Sequence, residues 1–261
     1  MAHWLFVLLL LSPLFGTAAK AAAPDDALSR LHQIRLATQG SLGDLYLLYG
    51  DPDPGPAVSI ERRITSTSTH LAALDPLPEA ASQALLVQLQ GQWTPYQQLL
   101  SNLAREQQSE GNLNARALAE LIGRNRALQN LCTQFEAELQ RTGLAPLSPA
   151  VQRTRALSLL MQDIASAYAA HSVGANALGG EGKALDELAE EFDARLVQLV
   201  QLQRNAVPEA EYQRVMAGIL RKWRYIEGSL RHYQKTSVPF LINQYSTKII
   251  AGLERLAALE S

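Results

Sequence analysis

The chain has 261 residues, and its 23 Lys or Arg against 25 Asp or Glu give a formal charge of −2. This balance argues against a nucleic-acid binder, which normally carries a basic face or tail. The single cysteine, Cys132, excludes an intramolecular disulfide framework and a cysteine-cluster metal site. The chain is 47% hydrophobic, only 6% aromatic and rich in Ala, Leu and Gln, a composition typical of helical proteins.

The start of the chain has the pattern of an export signal. Residues 5–16 form an apolar block, LFVLLLLSPLFG, that is too short for a transmembrane helix, and small residues with a candidate A-x-A cleavage site follow it. No cysteine comes directly after the block, so a lipid anchor is not expected. We expect residues 1–21 to be a cleavable signal peptide, although no Lys or Arg precedes the apolar block, and the rest of the chain to be periplasmic.

The remaining chain has the periodicity of a helical protein. Past residue 25, apolar residues recur at steps of three and four, and proline- and glycine-rich segments separate the periodic stretches. Ser148 and Ser237 stand where N-terminal caps are expected. The predicted helices span 26–49, 57–74, 79–107, 113–141, 148–172, 183–204, 208–234 and 238–259.

The second half of the chain repeats the pattern of the first. Apolar positions of the third helix recur 130 residues later, and this offset places Trp93 on Trp223, the two tryptophans beyond the signal. The first helices match at an offset of 123, which places Gln39 on Gln162. Loops of different length between copies explain the two offsets.

Eight helices with short connections predict antiparallel neighbours. We therefore expect an all-α fold of two tandem antiparallel four-helix bundles, 26–141 and 148–259, with Trp93 and Trp223 marking the two cores. Whether the bundles stack end to end or pack side by side is left open by the sequence.

The sequence contains no catalytic signature. The zinc-protease, haem-attachment, nucleophile-elbow and carboxylate–metal helix motifs are all absent. We expect no enzyme activity, no bound metal and no cofactor.

The first predicted helix contains a candidate ligand-binding residue, Arg35, flanked by Ile34 and Leu36. An arginine turned toward a bundle seam can bind an anion through two hydrogen bonds. Alternatively, its stem covers apolar surface and its charge stays in water. Gln39 lies one turn further, and its repeat equivalent Gln162 occupies the same seam position, where such amides also satisfy nearby backbone groups.

The segment Arg35-Leu-Ala-Thr-Gln39 resembles the arginine-apolar-apolar-Ser-Gln element of the PilJ/NarX-type sensor domain. This domain forms the N-terminal periplasmic region of type IV pilus chemotaxis transducers and of nitrate-responsive histidine kinases. Further segments that resemble its helices lie at 159–168, 192–199, 215–223 and 246–253. The resemblance covers the chain beyond the signal as two tandem copies.

The resemblance implies an anion-binding residue in the first unit, Arg35, with Gln39 beside it; Gly40 of this unit stands where a second arginine is common in the family. In the second unit Ser158 and Asp163 replace the arginines of the family. Anion binding is therefore not carried over to the second unit.

We expect a sensory or adaptor protein that binds a small anion, a peptide or a partner and relays this state to a separate membrane receptor or pilus-related protein. A separate receptor is expected because family members signal through flanking transmembrane helices, which this sequence does not show. The alternative is a ligand-free scaffold or assembly factor, with an exposed apolar patch near Tyr225, Tyr233 or Tyr245. A homodimer is compatible with both hypotheses.

Overall fold

The computed structural model describes residues 24–51, 54–74, 79–111, 114–141, 147–179, 183–204, 209–233 and 238–260. Within these ranges the chain is all-helical and contains no β-strand. The eight α-helices are α1 (Pro24–Gly50), α2 (Pro54–Ala72), α3 (Ala80–Glu110), α4 (Ala115–Arg141), α5 (Pro149–Ser172), α6 (Leu185–Arg204), α7 (Ala210–Arg231) and α8 (Pro239–Leu259). A short 3₁₀ helix, Ala175–Gly179, follows α5.

The helix boundaries lie within three residues of those predicted. Ser148 caps α5 as expected, because its side chain accepts a hydrogen bond from the Val151 backbone N–H and Pro149 begins the helix. Gly111 ends α3 in the left-handed conformation that glycine adopts without strain. The predicted signal peptide, 1–21, and the predicted cap Ser237 lie outside the described residues. Among the described helices, none is long and apolar enough to cross a membrane.

The helices are arranged as two groups of four. In the first group, α1 contacts α2, α2 contacts α3, α3 contacts α4, and α4 returns to α1. Helices α5 to α8 repeat this closed order in the second group. Each group encloses a hydrophobic core, and the buried Trp93 and Trp223 lie in the first and second core. The all-α fold of two antiparallel four-helix bundles is therefore confirmed.

The two groups pack side by side through α1 and α5. The two helices run in the same direction, since Gly43 contacts Ser166 and Gly50 contacts Val173. Both pairs are separated by 123 residues, the offset at which the first helices repeat. A Cβ atom on Gly43 would lie 2.8 Å from the Ser166 Oγ, so the absence of a side chain permits this close approach.

The two tryptophans make the same kind of contact in their respective groups. The Trp93 indole N–H donates to the Ser68 Oγ on α2 at 3.1 Å, and the Trp223 indole N–H donates to the Asp193 Oδ1 on α6 at 2.8 Å. Each indole thus binds the helix that precedes its own, as expected for two copies of one unit. The division of the chain into repeated units at 142–148 stays a prediction.

Candidate ligand-binding site

A groove of about 620 Å³ lies along the contact between α1 and α5. It is bordered by α4 from the first helix group and by α6 from the second, and we call it the α4–α6 groove. Its volume is within the range of small-molecule pockets. The polar or charged side chains that line it include Gln39, Asn125, Arg126, Asn130, Asp163 and His171.

Of the residues predicted to bind a ligand, Gln39 lines this groove, and its backbone carbonyl accepts a hydrogen bond from the Ser166 Oγ at 3.2 Å. Arg35 lies outside the lining, where its Nη1 donates to the Glu136 Oε2 at 3.1 Å. The Arg35 Nε is buried and has no hydrogen-bond partner among the described residues. Gln162 is buried and donates to the Ser166 Oγ at 3.4 Å. Ligand binding by Arg35 and Gln39 stays a prediction.

Hydrogen bonds fix the α4 wall of the groove against α1. The Asn125 amide donates to the Thr38 carbonyl at 2.9 Å and to the Tyr96 hydroxyl at 3.1 Å. The Gln129 amide donates to the Thr38 Oγ1 at 2.7 Å and to the Arg35 carbonyl at 3.2 Å. Burial raises the pKa of Tyr96 to about 12, so its hydroxyl stays protonated. This buried polar network holds the wall in one arrangement.

Asp163 on α5 is the acidic residue of the groove. It is partly buried, and its carboxylate has no ion-pair or hydrogen-bond partner within the part of the chain that the structure describes. Burial raises its pKa to about 6, an effect that the positive charge of Arg35 opposes and the negative charge of Glu191 reinforces. A carboxylate without a partner in such a place carries an uncompensated desolvation cost.

The lysine and the arginine that line the groove differ in their partners. Lys183 binds Glu191 with an Nζ to Oε2 distance of 2.5 Å. Arg126 is exposed on α4 and forms no ion pair with any described residue. Burial raises the pKa of the nearby Tyr46, and the positive charge of Arg126 opposes this rise. Arg126 is therefore the lining cation that remains available to a ligand carboxylate.

An arginine from another helix occupies the space beside Gly40, where a side chain would lie. The Arg63 guanidinium of α2 lies where a Cβ on Gly40 would be, 2.1 Å from its Nη1. The Arg63 Nε donates to the Oδ2 of the buried Asp44 at 2.6 Å. Arg63 does not line the α4–α6 groove, so this guanidinium has a structural role.

Ser158 belongs to a polar cluster that joins α1, α5 and α8. The Glu254 carboxylate accepts hydrogen bonds from Ser158 at 2.7 Å and Gln33 at 2.6 Å and lies 2.8 Å from the His32 Nε2. Burial alone would raise the pKa of Glu254, but His32, Ser158 and Gln33 together hold it below its usual range. Ser158 and His32 contact the same carboxylate oxygen, so the imidazole is not placed to activate the serine.

The tyrosines expected in an exposed patch lie in two places. Tyr225 is 58% exposed, and its ring stacks on Tyr245 at a centroid distance of 4.6 Å. Tyr233 instead lines the α4–α6 groove, with its ring edge-on to His171 at 4.5 Å. A second, more apolar groove of about 510 Å³ lies between the α1–α2 connection and the start of α8, beside the exposed Phe240.

Within the described ranges, no group of three or more His, Cys, Asp or Glu side chains is placed to hold a metal ion. Cys132 is buried in the first core, and burial raises its pKa to about 12, which keeps the thiol protonated.

Comparison of the chain with protein-family models, curated proteins and solved structures finds no match. The relation to PilJ/NarX-type sensor domains therefore rests on the sequence motifs alone.

Proposed function

We propose that this chain is a periplasmic sensory or adaptor protein that binds a small ligand in the α4–α6 groove and relays the bound state to a separate membrane receptor or pilus-related protein. The observation that carries the proposal is the lining of the groove, which combines residues of both helix groups with two charged side chains, Asp163 and Arg126, that lack ion-pair partners among the described residues. Unpaired charges in a concave site are typical of ligand binding.

The position of the groove provides a route from binding to signalling. A ligand there contacts α1 and α4 of one group and α5 and α6 of the other. Because packed helices shift between discrete arrangements, a ligand that favours one spacing of α1 and α5 changes the relative position of the two groups. A receptor that contacts both groups would respond to this change in their relative position.

The second candidate function is a ligand-free scaffold. The stacked Tyr225 and Tyr245 and the exposed Phe240 favour it, because exposed aromatic side chains are enriched where proteins contact partners. A scaffold has no requirement for the α4–α6 groove.

A thermal-shift screen of the protein against nitrate, nitrite, small carboxylates and short peptides separates the two functions. Binding to the folded state raises the melting temperature and contributes about 2.7 kcal/mol of stability at a hundredfold excess over Kd. We expect the melting temperature to rise saturably with ligand concentration. The variant Ala167→Trp, whose side chain fills the groove from α5, should abolish this rise. Arg35→Ala tests the contribution of the neighbouring arginine in the same screen. A shift that Ala167→Trp leaves unchanged would place the ligand elsewhere, and no shift with any compound would favour the scaffold.

A further inference from the structure

We propose that the ligand of the α4–α6 groove is a zwitterion, an amino acid or a short peptide, whose protonated amine binds Asp163 and whose carboxylate binds Arg126. This inference rests on the proposed function and specifies the ligand class of the same groove.

The first step is that Asp163 has no cationic partner among the described residues. Arg35, the cation whose charge acts on this carboxylate, already binds Glu136, and Lys183 of the groove lining already binds Glu191. A ligand ammonium supplies the counter-charge and the hydrogen bonds that the protein does not provide. A simple anion at the same place would instead be repelled by the Asp163 carboxylate.

The second step concerns the α4 wall of the groove. Arg126 belongs to α4, whereas Asp163 belongs to α5, so the groove presents one unpaired cation and one unpaired anion from different helices. Such a pair matches a ligand that carries both charges at separate ends. The exposed amide of Asn130 on the same α4 wall can hydrogen-bond a peptide group, and Ile122 and Leu188 provide apolar surface for a side chain.

The pH response of binding follows from the same geometry. Because burial raises the pKa of Asp163 to about 6, the carboxyl is neutral in acid and then no longer attracts an ammonium group. We expect affinity to fall as the pH drops below about 6. The charged or titratable groups that act on this carboxyl or line the same groove are Arg35 and Tyr46 on α1, Arg126 on α4, His171 on α5, Lys183 just before α6, Glu191 on α6, and Tyr233; Glu136 on α4 pairs with Arg35.

The test compares amines with their acetylated forms. The probes are the standard L-amino acids and the dipeptide alanyl-leucine, each beside its N-acetyl derivative, titrated at pH 7.5 by calorimetry and thermal shift. We expect at least one free amine to bind and its N-acetyl form to bind about tenfold or more weakly. Asp163→Asn and Arg126→Gln should each weaken binding by a similar factor. Their matched controls, Glu61→Gln and Arg62→Gln at exposed positions on α2, should leave binding unchanged.

The outcomes separate the ligand class from the site. If acetylated and free amines bind equally and Ala167→Trp abolishes both, the groove is the site and the amine assignment is wrong. If nitrate or a carboxylate binds in the groove and no amine does, the zwitterion is likewise excluded. If an amine binds equally to wild type and Ala167→Trp, the groove itself is wrong. Should Ala167→Trp fail to fold, Asn130→Trp on the α4 wall provides the same test.

Discussion

Two carboxylates at the contact between the helix groups differ in their surroundings, and their pKa values shift in opposite directions. The Glu254 carboxylate has hydrogen-bonding neighbours in His32, Ser158 and Gln33, and these hold its pKa below the usual range despite burial. Asp163 has no such neighbour, so burial raises its pKa to about 6. The first carboxylate therefore stabilises the fold, and the second is available to a ligand at a cost in stability.

Replacement of Asp163 by Asn should stabilise the protein without ligand. The folded pKa of about 6 lies above the ordinary value of 3.8, so ionisation destabilises the fold as the pH rises from about 4 to 6 and the full penalty persists above that range. Asp163→Asn removes this penalty and should add about 1–3 kcal/mol to the free energy of unfolding at pH 7.5. Urea unfolding at pH 7.5 and at pH 4 measures the difference. An equal gain at both pH values would contradict this assignment.

A side chain at Gly40 should weaken the ion pair between Arg63 and Asp44. A Cβ there forces the Arg63 guanidinium to move, while Ser59 still donates to the buried Asp44, so Gly40→Ala should cost about 1 kcal/mol of unfolding free energy. The control is Gly123→Ala on α4, where a Cβ meets no atom within 4 Å and alanine should instead stabilise the helix by about 0.5–1 kcal/mol. Equal effects of the two substitutions in urea unfolding would refute the role of Gly40.

At the scale of the helices, the sequence predicted the elements better than their packing. Proline- and glycine-rich segments and the spacing of apolar residues locate the helix ends. The predicted boundaries therefore lie within three residues of the observed ones. The side-by-side packing was not predictable, because α1 and α5 bury residues around most of their circumference. Neither helix therefore has a single apolar face that would indicate which helix packs against it.

The candidate site was predicted only in part. Gln39 lines the groove, whereas Arg35 lies outside the lining, and its carbonyl accepts a hydrogen bond from the lining residue Gln129. In the sequence Asp163 was noted only because the sensor domain that the segment resembles has an arginine there. Arg126 was not noted at all, because an exposed arginine on an amphipathic helix has an ordinary pattern. Both gain significance only when α4 and α5 line one groove, which requires the tertiary contact of the two groups.

The contact of α8 with α1 and α5 should depend on the Glu254 carboxylate. Its pKa is held low in the folded state, so the stabilisation is present above the ordinary pKa of 4.5 and is lost as the pH falls through the folded value. At pH 7.5, Glu254→Gln should cost about 1–2 kcal/mol of unfolding free energy. The control is Glu120→Gln in the exposed pair with Arg124, where a change below about 0.5 kcal/mol is expected. An equally small effect of Glu254→Gln would contradict this coupling.

At the scale of the whole molecule, a disulfide should lock the two helix groups together. The Ser166 Cβ lies 3.4 Å from the position of a Cβ on Gly43, close to the distance of about 3.8 Å that is usual in disulfides. The pair Gly43→Cys and Ser166→Cys should therefore oxidise without denaturant, and Cys132 does not compete because it is buried. Electrophoresis without reductant detects the closed loop. The control pair Gly123→Cys and Ser166→Cys should stay reduced, and equal oxidation of the two pairs would refute the parallel packing of α1 and α5.

The most direct test of a ligand site between the two groups is the Kd of a compound that binds, measured by calorimetry on wild type, on Ala167→Trp in the groove and on Val87→Trp at an exposed position of α3. Ala167→Trp should raise the Kd about tenfold or more, whereas Val87→Trp should leave it unchanged. The same Kd for all three proteins would contradict a binding site in the α4–α6 groove.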